Sequence, residues 1–293
     1  MSSLWDTQKK GLASFLLISF GLAWVIWEIT LRVGPSAREP LFQLAILPGA
    51  LAPAVAAIVV RKWVTREGFG DAGLKLNLRR WQYYVAGWAL PLFVVSVILL
   101  AAVTLEISDP DFSMRRAIWQ LGPPGTVAPP LPDGIFALVV IQSMVTAIVA
   151  TPILFGEEFG WRGYLQVRLF RDRPLLAAVV TGVIWGLWHL PINLRGYNFP
   201  DQPVVGMLVF TVSAIMLSII FGWLRTKTGS IWAASLGHSA TNAVGGSLTL
   251  VLFIGAPNWI FVSYVGIIGW VPLGVLCMWI ALTGQLNRSR TCG

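Results

Sequence analysis

The stretch IFALVVIQSMVTAIVATPILFGEEFGWR, residues 135–162, joins a long uncharged run to two adjacent glutamates and an arginine. Its first part reaches the roughly 20 residues that a membrane-spanning helix requires. Its second part places Glu157, Glu158 and Arg162 at the edge of that span or inside it. Ionisable groups are costly in hydrocarbon unless they are paired, so this cluster indicates a functional site.

The composition of the whole chain predicts a membrane protein. The 293 residues are 56% hydrophobic and 12% charged, whereas a soluble domain has about 25% charged residues. Eight apolar runs predict an all-α, polytopic membrane protein, in which a bundle of about eight transmembrane helices surrounds an intramembrane cavity. The predicted spans are 11–33, 41–60, 83–106, 134–156, 174–191, 203–224, 230–253 and 259–283.

The chain shows no internal repeat and no separate soluble domain, so residues 1–293 are predicted to form a single integral membrane domain. Two longer connections interrupt the spans: residues 61–82 are basic, and residues 107–133 are proline-rich and predicted to be an irregular loop. The first apolar run has the length of a span and no clear cleavage site, which favours a span over a signal peptide. Cys277 and Cys292 are expected to be reduced thiols.

The distribution of basic residues predicts the orientation of the chain. With the N-terminus and the C-terminus in the cytoplasm, all but five of the 21 lysines and arginines fall on the cytoplasmic side, as the positive-inside rule requires. The exceptions are Arg32, Arg38, Arg115, Arg116 and Arg195. The net charge of +8 is spread over short loops, so it indicates a multi-pass protein of the cell membrane with the lipid bilayer as partner, and no nucleic-acid binding.

Few ionisable side chains fall inside the predicted spans. Glu28 and Arg32 lie near the end of the first span with helical i,i+4 spacing, which predicts an interfacial pair that snorkels to water. The only two histidines, His189 and His238, lie in later spans. Asn242 follows His238 by four residues, so the two side chains share one helix face.

Helical geometry gives the two glutamates different environments. Adjacent residues on a helix point about 100° apart, and Glu158 precedes Arg162 by four residues, the favourable order for an ion pair. Glu157 therefore lacks a partner in its own helix and needs one from another helix. The helical rise places His189 and His238 at a similar depth, so we expect them to be the candidates.

A carboxylate and two imidazoles in a dry pocket are compatible with three kinds of chemistry. The glutamate can act as the base that activates water for amide hydrolysis, or the three groups can hold a zinc ion that activates the water. They can also relay protons or bind a substrate in a transporter, although the chain lacks the repeat symmetry typical of transporters.

Two sequence signatures of other intramembrane proteases are absent, and a third matches by chance. The chain contains no H-E-x-x-H metalloprotease motif and no G-x-S-G serine motif. The segment GFGD, residues 68–71, matches G-x-G-D of aspartyl intramembrane proteases. However, Asp71 lies in the basic connection and no predicted span contains a second aspartate, so the required pair of aspartates cannot form.

Three short motifs occur in order along the second half of the chain. EEFGWR (157–162) has the pattern E-E-x-x-x-R, WGLWH (185–189) is similar to F-x-x-x-H, and HSATN (238–242) has the pattern H-x-x-x-N. Together they resemble the CAAX protease and bacteriocin-processing family, to which the Ras-converting CAAX endopeptidase of the endoplasmic reticulum belongs. The resemblance covers residues 134–255, the expected catalytic core. Trp185 replaces the usual phenylalanine, and we expect it to keep the wall of the cavity.

The resemblance implies a role for each motif residue in an intramembrane endopeptidase. Glu157 and His189 would activate the attacking water, while His238 and Asn242 would bind the oxyanion of the tetrahedral intermediate. Glu158 and Arg162 would hold the helix and tune Glu157. The implied substrate is a membrane-associated peptide or lipidated protein that is cut near its C-terminus. Eukaryotic relatives remove the last three residues of prenylated proteins.

Two alternatives stay open from the sequence. The mechanism can use the glutamate without a metal, or it can use a zinc ion held by Glu157, His189 and His238 if a metal is bound. The chain can also be a non-catalytic immunity or scaffold protein of the same fold. Such a protein would tolerate the substitution Glu157→Gln.

Overall fold

The structure is a computed structural model, and it describes residues 2–35, 41–122, 125–127, 131–132, 134–256 and 258–287. All regular secondary structure in these ranges is helical. The predicted all-α fold class is therefore confirmed for the described part of the chain.

The helices of the first half precede the three motifs. They are α1 (Ser2–Val33), α2 (Phe42–Ala50), α3 (Ala52–Val59), α4 (Trp81–Thr104) and α5 (Arg115–Leu121). A π-helical turn, Val60–Val64, continues α3, and a 3-10 turn, Leu78–Arg80, leads into α4.

The helices of the second half carry the motifs. They are α6 (Ile135–Val149), α7 (Thr151–Gly160), α8 (Pro174–Trp188), α9 (Leu190–Asn193), α10 (Pro203–Thr228), α11 (Ile231–Ala240), α12 (Ser247–Phe253), α13 (Trp259–Val262) and α14 (Trp270–Leu282). Two further π-helical turns, Trp161–Leu165 and Thr241–Gly246, follow α7 and α11.

Several of these helices are long and apolar enough to cross a membrane, as expected of a multi-pass integral membrane protein. Among the described residues, four segments meet this condition alone, and the bent pair Ile135–Val149 and Thr151–Leu165 makes a fifth if it forms one span. The four segments are Asp6–Val33, Phe42–Val64, Leu78–Thr104 and Pro203–Thr228. Helices α8 and α14 are apolar but shorter, and the predicted span 230–253 is divided between α11, a π-helical turn and α12. The count of about eight spans is therefore not confirmed.

The predicted span 134–156 is not one straight helix. Helices α6 and α7 meet at Ala150 with a bend of 51°. Pro152, in the first turn of α7, has no N–H to donate, and its ring displaces the preceding turn. The hydroxyl of Thr151 donates to the carbonyl of Ala147 at 2.8 Å, so a side-chain hydrogen bond spans the bend. The bend redirects α7, which carries both glutamates of the first motif.

Helices α8 and α10 approach each other closely through glycines of α8. A Cβ atom on Gly182 would lie 2.5 Å from the Cα atom of Ile215, and one on Gly186 would lie 3.1 Å from the Cα atom of Thr211. The hydroxyl of Ser218 also donates to the carbonyl of Ala178 at 2.8 Å. Small residues allow such backbone contact between membrane helices, and here they fix α8, which carries the second motif.

The basic connection after α3 is anchored to the end of α7 by a buried arginine. Arg61 is fully buried and donates to Asp71 Oδ1 at 2.8 Å and to the carbonyl of Gly163 at 2.9 Å. Arg168 donates to Glu67 at 2.7 Å and contacts Asp71 Oδ2 at 3.2 Å. Asp71 of the GFGD segment therefore accepts a hydrogen bond from Arg61 and forms ion pairs with both arginines, which is a structural role.

We expect the Asp71→Asn variant to lose stability and to lose part of its pH dependence. Burial raises the pKa of the Asp71 carboxyl, but the hydrogen bond from Arg61 and the charges of Arg168 and Arg61 outweigh burial, so its pKa lies below the usual value. The stabilisation is therefore present above the unfolded pKa of about 4 and is lost as the pH falls through the lower folded pKa. Because Asp71 is half exposed, we expect a loss of about 1–2 kcal/mol at neutral pH.

Thermal unfolding in detergent across the acid range checks this prediction. Asp6→Asn, a change at another exposed aspartate, is the control. Equal unfolding midpoints of Asp71→Asn and the wild type at neutral pH would contradict the anchoring role of Asp71.

Two details of the connections add to or differ from the sequence predictions. Glu28 forms the predicted ion pair with Arg32 at 3.8 Å, and it also accepts two hydrogen bonds, of 2.7 and 3.0 Å, from Arg195. The predicted irregular loop 107–133 contains helix α5, whose first turn is held by Asp111, because its carboxylate accepts from the backbone N–H of Arg116 at 2.8 Å. Asp111, which precedes α5, therefore supports a helix that the proline content of this stretch does not predict.

Some residues in the predictions on cysteines and on charge lie outside the described part of the chain. Cys277 is a free, buried thiol. Cys292, Arg38 and the C-terminal residues 288–293 lie outside the described residues.

Candidate active site

The two glutamates of the first motif lie in the last turns of α7, just before the π-helical turn Trp161–Leu165. Both side chains are buried. Arg162 Nη1 donates to Glu158 Oε1 at 2.8 Å, and neither side chain of this pair is exposed to solvent. The ion pair predicted from the i,i+4 spacing is therefore present, and it is fully buried.

His238 of α11 also reaches this ion pair. Its Nδ1 lies 3.0 Å from Glu158 Oε1, and since an ion-paired carboxylate accepts, Nδ1 carries a proton. Its ring stacks on Phe221 of α10 at 5.4 Å between centroids. Sequence reasoning expected Glu157 to find its partner among the histidines, but the hydrogen bond of His238 goes to Glu158.

Glu157 instead has a tryptophan as its hydrogen-bond partner. Trp185 Nε1 donates to Glu157 Oε2 at 3.2 Å, and Glu157 is only 7% exposed. Phenylalanine, the usual residue of this motif position, has no N–H to donate. The replacement of phenylalanine by Trp185 therefore adds a polar contact to an otherwise aromatic wall.

The indole of Trp185 contacts side chains of all three motifs. Its ring is 5.7 Å from His189 and 5.1 Å from His238, and the guanidinium carbon of Arg162 lies 4.8 Å from its centre. The edge of the same ring donates to Glu157. Trp185 therefore connects the three motifs, which lie far apart in sequence.

His189 lies at the end of α8 and is half-buried. Its Nδ1 lies 2.9 Å from the carbonyl oxygen of Trp185. Because a carbonyl can only accept, Nδ1 carries the proton and Nε2 keeps its lone pair. His189 is thereby held in the tautomer that a general base requires.

Helix α1 braces the end of α8, although it carries no motif. Trp24 Nε1 donates to the carbonyl of Trp188 at 2.9 Å, and Trp188 Nε1 donates to the carbonyl of Ser19 at 3.1 Å. Trp27 packs on Trp188 at 4.4 Å between centroids and lies 6.1 Å from His189. Sequence reasoning missed this brace, and the only available signal was the density of tryptophans in both segments.

Asn242 is the one predicted site residue that the structure does not bring to the cluster. It lies in the π-helical turn Thr241–Gly246 and its side chain is exposed. Phe221, which no motif indicated, takes part instead, because it contacts both His238 and Arg162.

The buried ion pair keeps unused hydrogen-bonding capacity. Glu158 Oε2 and Arg162 Nε and Nη2 are buried and have no partner among the described protein atoms. Most buried polar atoms are satisfied, and exceptions are frequent at functional sites. The site therefore combines charge, burial and unpaired polar atoms.

The predicted zinc ligands do not form a ready metal site. In the part of the chain that the structure describes, no group of three His, Cys, Asp or Glu side chains has a metal-binding arrangement. The Nδ1 atoms of His189 and His238 are both engaged in hydrogen bonds. These bonds leave Nε2 of each imidazole free, as in many metal sites, so the zinc ligand set Glu157, His189 and His238 stays a prediction.

A known protein family matches the segment of the chain that contains the three motifs. Residues 135–244 match the family described as Type II CAAX prenyl endopeptidase Rce1-like. The matched segment begins with α6 and ends in the π-helical turn after α11, so it contains all three motifs. No curated protein matches the chain. The match confirms, for residues 135–244, the resemblance that the three motifs predict.

Proposed function

We propose that this protein is an intramembrane CAAX-type endopeptidase that hydrolyses a peptide bond near the C-terminus of a membrane-associated substrate. The observation that carries the proposal is the meeting of three motifs around Trp185, inside the segment that matches the endopeptidase family. A carboxylate, a base-competent histidine and a second histidine on a buried ion pair are the groups that amide hydrolysis requires.

Glu157 and His189 activate the attacking water in this proposal. The indole N–H of Trp185 holds Glu157 Oε2, which leaves Glu157 Oε1 to accept a proton from water. His189 contributes the lone pair on Nε2 to orient the same water. The water oxygen forms a bond to the carbonyl carbon, and Glu157 then passes the proton to the amine that leaves as the C–N bond breaks.

His238 stabilises the oxyanion of the tetrahedral intermediate. Because its Nδ1 bonds to Glu158, donation to the oxyanion requires a second proton on Nε2. His238 then acts as an imidazolium beside Glu158, the carboxylate that also pairs with Arg162. In this proposal Asn242 supplies a second donor only after its exposed side chain moves to the cluster. Such donors each lower the barrier by about 3–4 kcal/mol.

The proposed membrane arrangement follows the charge distribution. Residues 1–293 form one integral membrane domain of about eight spans in the cell membrane, with the catalytic core at 134–255 and both termini in the cytoplasm. The excess of basic residues in the predicted cytoplasmic loops supports this orientation. The proposed substrates are lipidated, with a prenylated C-terminus as the first candidate.

Peptidase assays on the detergent-purified full chain test the proposal. One fluorogenic C-terminal peptide is supplied farnesylated and unmodified, and mass spectrometry identifies the products. We expect cleavage of the farnesylated peptide near its C-terminus and slower cleavage of the unmodified one. Failure of a folded protein to cut either peptide would contradict the proposal and favour the non-catalytic immunity or scaffold alternative. Zinc measured on the same preparation distinguishes metal-dependent from metal-free hydrolysis.

We expect the Trp185→Phe variant to lower kcat by about 10-fold to 100-fold with little change in KM. The variant keeps an aromatic ring but removes the N–H that holds Glu157 together with part of the indole, and a hydrogen bond to a charged group contributes roughly 1.5–3 kcal/mol. Steady-state kinetics on the farnesylated peptide give both constants, and thermal unfolding shows whether the fold is retained.

Trp88→Phe is the matched control for this substitution. Trp88 Nε1 donates to the carbonyl of Met144 at 2.9 Å, so the change removes the same group outside the motifs. Equal kcat values for the two variants would show that the Trp185 contact does not position Glu157.

A further inference from the structure

A short segment before α4 combines exposed leucines with exposed cations. We call residues 74–81, LKLNLRRW, the interfacial segment. Its leucines alternate with polar residues, and Leu76, Leu78 and Trp81 are 57%, 59% and 62% exposed. Two cations are also exposed: Lys75, which precedes Leu76, and Arg79, which follows Leu78. The segment lies outside the residues that match the endopeptidase family.

The backbone of the interfacial segment is fixed on the start of α11. The carbonyl of Leu74 accepts from Trp232 Nε1 at 3.0 Å, and Asn77 Nδ2 donates to the carbonyl of Thr228 at 2.8 Å. One residue earlier, the carbonyl of Gly73 accepts from the backbone N–H of Ile231 at 2.9 Å. The segment is therefore an ordered part of the fold, and its exposed side chains form a defined surface.

The positive charge of the interfacial segment has no acidic partner within the basic connection, residues 61–82. The two acids of the connection, Glu67 and Asp71, are paired with Arg61 and Arg168. The interfacial segment itself contains no acidic residue. The exposed cations of the connection are Lys62, Arg66, Lys75, Arg79 and Arg80.

The position of the segment along the chain places it at a membrane boundary. Helix α4 begins at Trp81, and its apolar residues Val85, Phe93 and Leu100 are exposed, as expected for a face in contact with lipid. Tryptophan, leucine and basic residues together at the end of a span are typical of the headgroup region. Clusters of lysine and arginine there attract anionic lipids.

We propose that the interfacial segment binds the headgroups of anionic phospholipids. The cations contact the phosphate groups, and the exposed leucines and Trp81 enter the apolar layer beneath them. Because the segment is bonded to the first turn of α11, lipid binding stabilises the helix that carries His238. The proposal concerns lipid binding and stability, so it holds whether or not the protein is a peptidase.

Thermal unfolding of the full chain in a neutral detergent tests the proposal. Phosphatidylglycerol, phosphatidylcholine and inorganic phosphate are titrated separately, and the concentration for half-maximal stabilisation is recorded. We expect phosphatidylglycerol to stabilise the wild type and the other two to have little effect. Each cation near an anionic surface contributes roughly fivefold in affinity. The triple variant Lys75→Gln, Arg79→Gln, Arg80→Gln should therefore need at least about tenfold more phosphatidylglycerol.

A second triple variant distinguishes lipid binding by the interfacial segment from attraction by the net positive charge of the protein. Lys10→Gln, Arg171→Gln and Arg173→Gln remove the same charge from exposed residues outside the connection, and this variant should respond to phosphatidylglycerol as the wild type does. The double variant Leu76→Ser, Leu78→Ser should also weaken the response, because the apolar contacts are lost while the cations remain.

Three outcomes would overturn the proposal. Equal losses in the two triple variants would indicate that net charge alone attracts the lipid. Equal stabilisation by inorganic phosphate would indicate a site for free phosphate. The third outcome is an unchanged lipid response in the first triple variant. If this variant also cleaves peptide more slowly than the wild type in vesicles of phosphatidylcholine alone, the segment binds an acidic peptide substrate instead of lipid.

Discussion

The Glu157→Ala variant is expected to lose peptide hydrolysis by at least about 10²–10⁴-fold, the contribution of a positioned general base, while the protein still folds and inserts. Glu157 is the carboxylate of the cluster outside the buried ion pair, and its hydrogen bond comes from the neutral indole of Trp185. Its removal therefore takes away the base and leaves the ion pair of Glu158 and Arg162 in place. Cleavage of the farnesylated peptide, measured at equal amounts of folded protein, gives the result.

Glu157→Gln and Glu106→Gln complete this experiment. Glutamine at position 157 can still accept from Trp185 but cannot take a proton from water, so we expect it to be as inactive as alanine. Glu106 is exposed in the loop after α4, and its replacement should leave cleavage unchanged. Full activity of Glu157→Gln would rule out Glu157 as the base, and a retained cellular phenotype would support the immunity or scaffold alternative.

The Arg162→Ala variant is expected to lose about 3–5 kcal/mol of stability, because it leaves Glu158 charged, fully buried and without its cationic partner. The change also removes the cation that lies 4.8 Å from the ring centre of Trp185 and 5.2 Å from that of Phe221. Peptide cleavage should fall as well, since Glu158 and Trp185 position His238 and Glu157. Unfolding in detergent by heat or denaturant measures the loss.

Arg195→Ala is the matched control for Arg162→Ala. Arg195 makes two hydrogen bonds to Glu28 but is about half exposed, and exposed ion pairs contribute about 0–1 kcal/mol. A loss in Arg162→Ala no greater than in Arg195→Ala would mean that the buried pair does not hold the site. The double variant Glu158→Gln, Arg162→Met should recover part of the loss, because it removes both buried charges.

The sequence alone was sufficient for features that depend on local spacing. The i,i+4 order of Glu158 and Arg162 predicts their ion pair, which the structure contains at 2.8 Å. The uncharged runs predict an all-helical membrane protein, because a chain in lipid must satisfy its backbone hydrogen bonds within each segment. The order of the three motifs predicts the family segment. These features require no knowledge of which helices are neighbours.

The tertiary structure decided which groups meet across helices. Spacing along the chain cannot show that His238 bonds to Glu158 while Trp185 bonds to Glu157, because both contacts depend on the packing of α7, α8 and α11. The burial of Arg61 within a basic connection depends on the end of α7 in the same way. Local rules apply within one helix, whereas a partner 28 or 80 residues away is selected by the shape of the whole bundle.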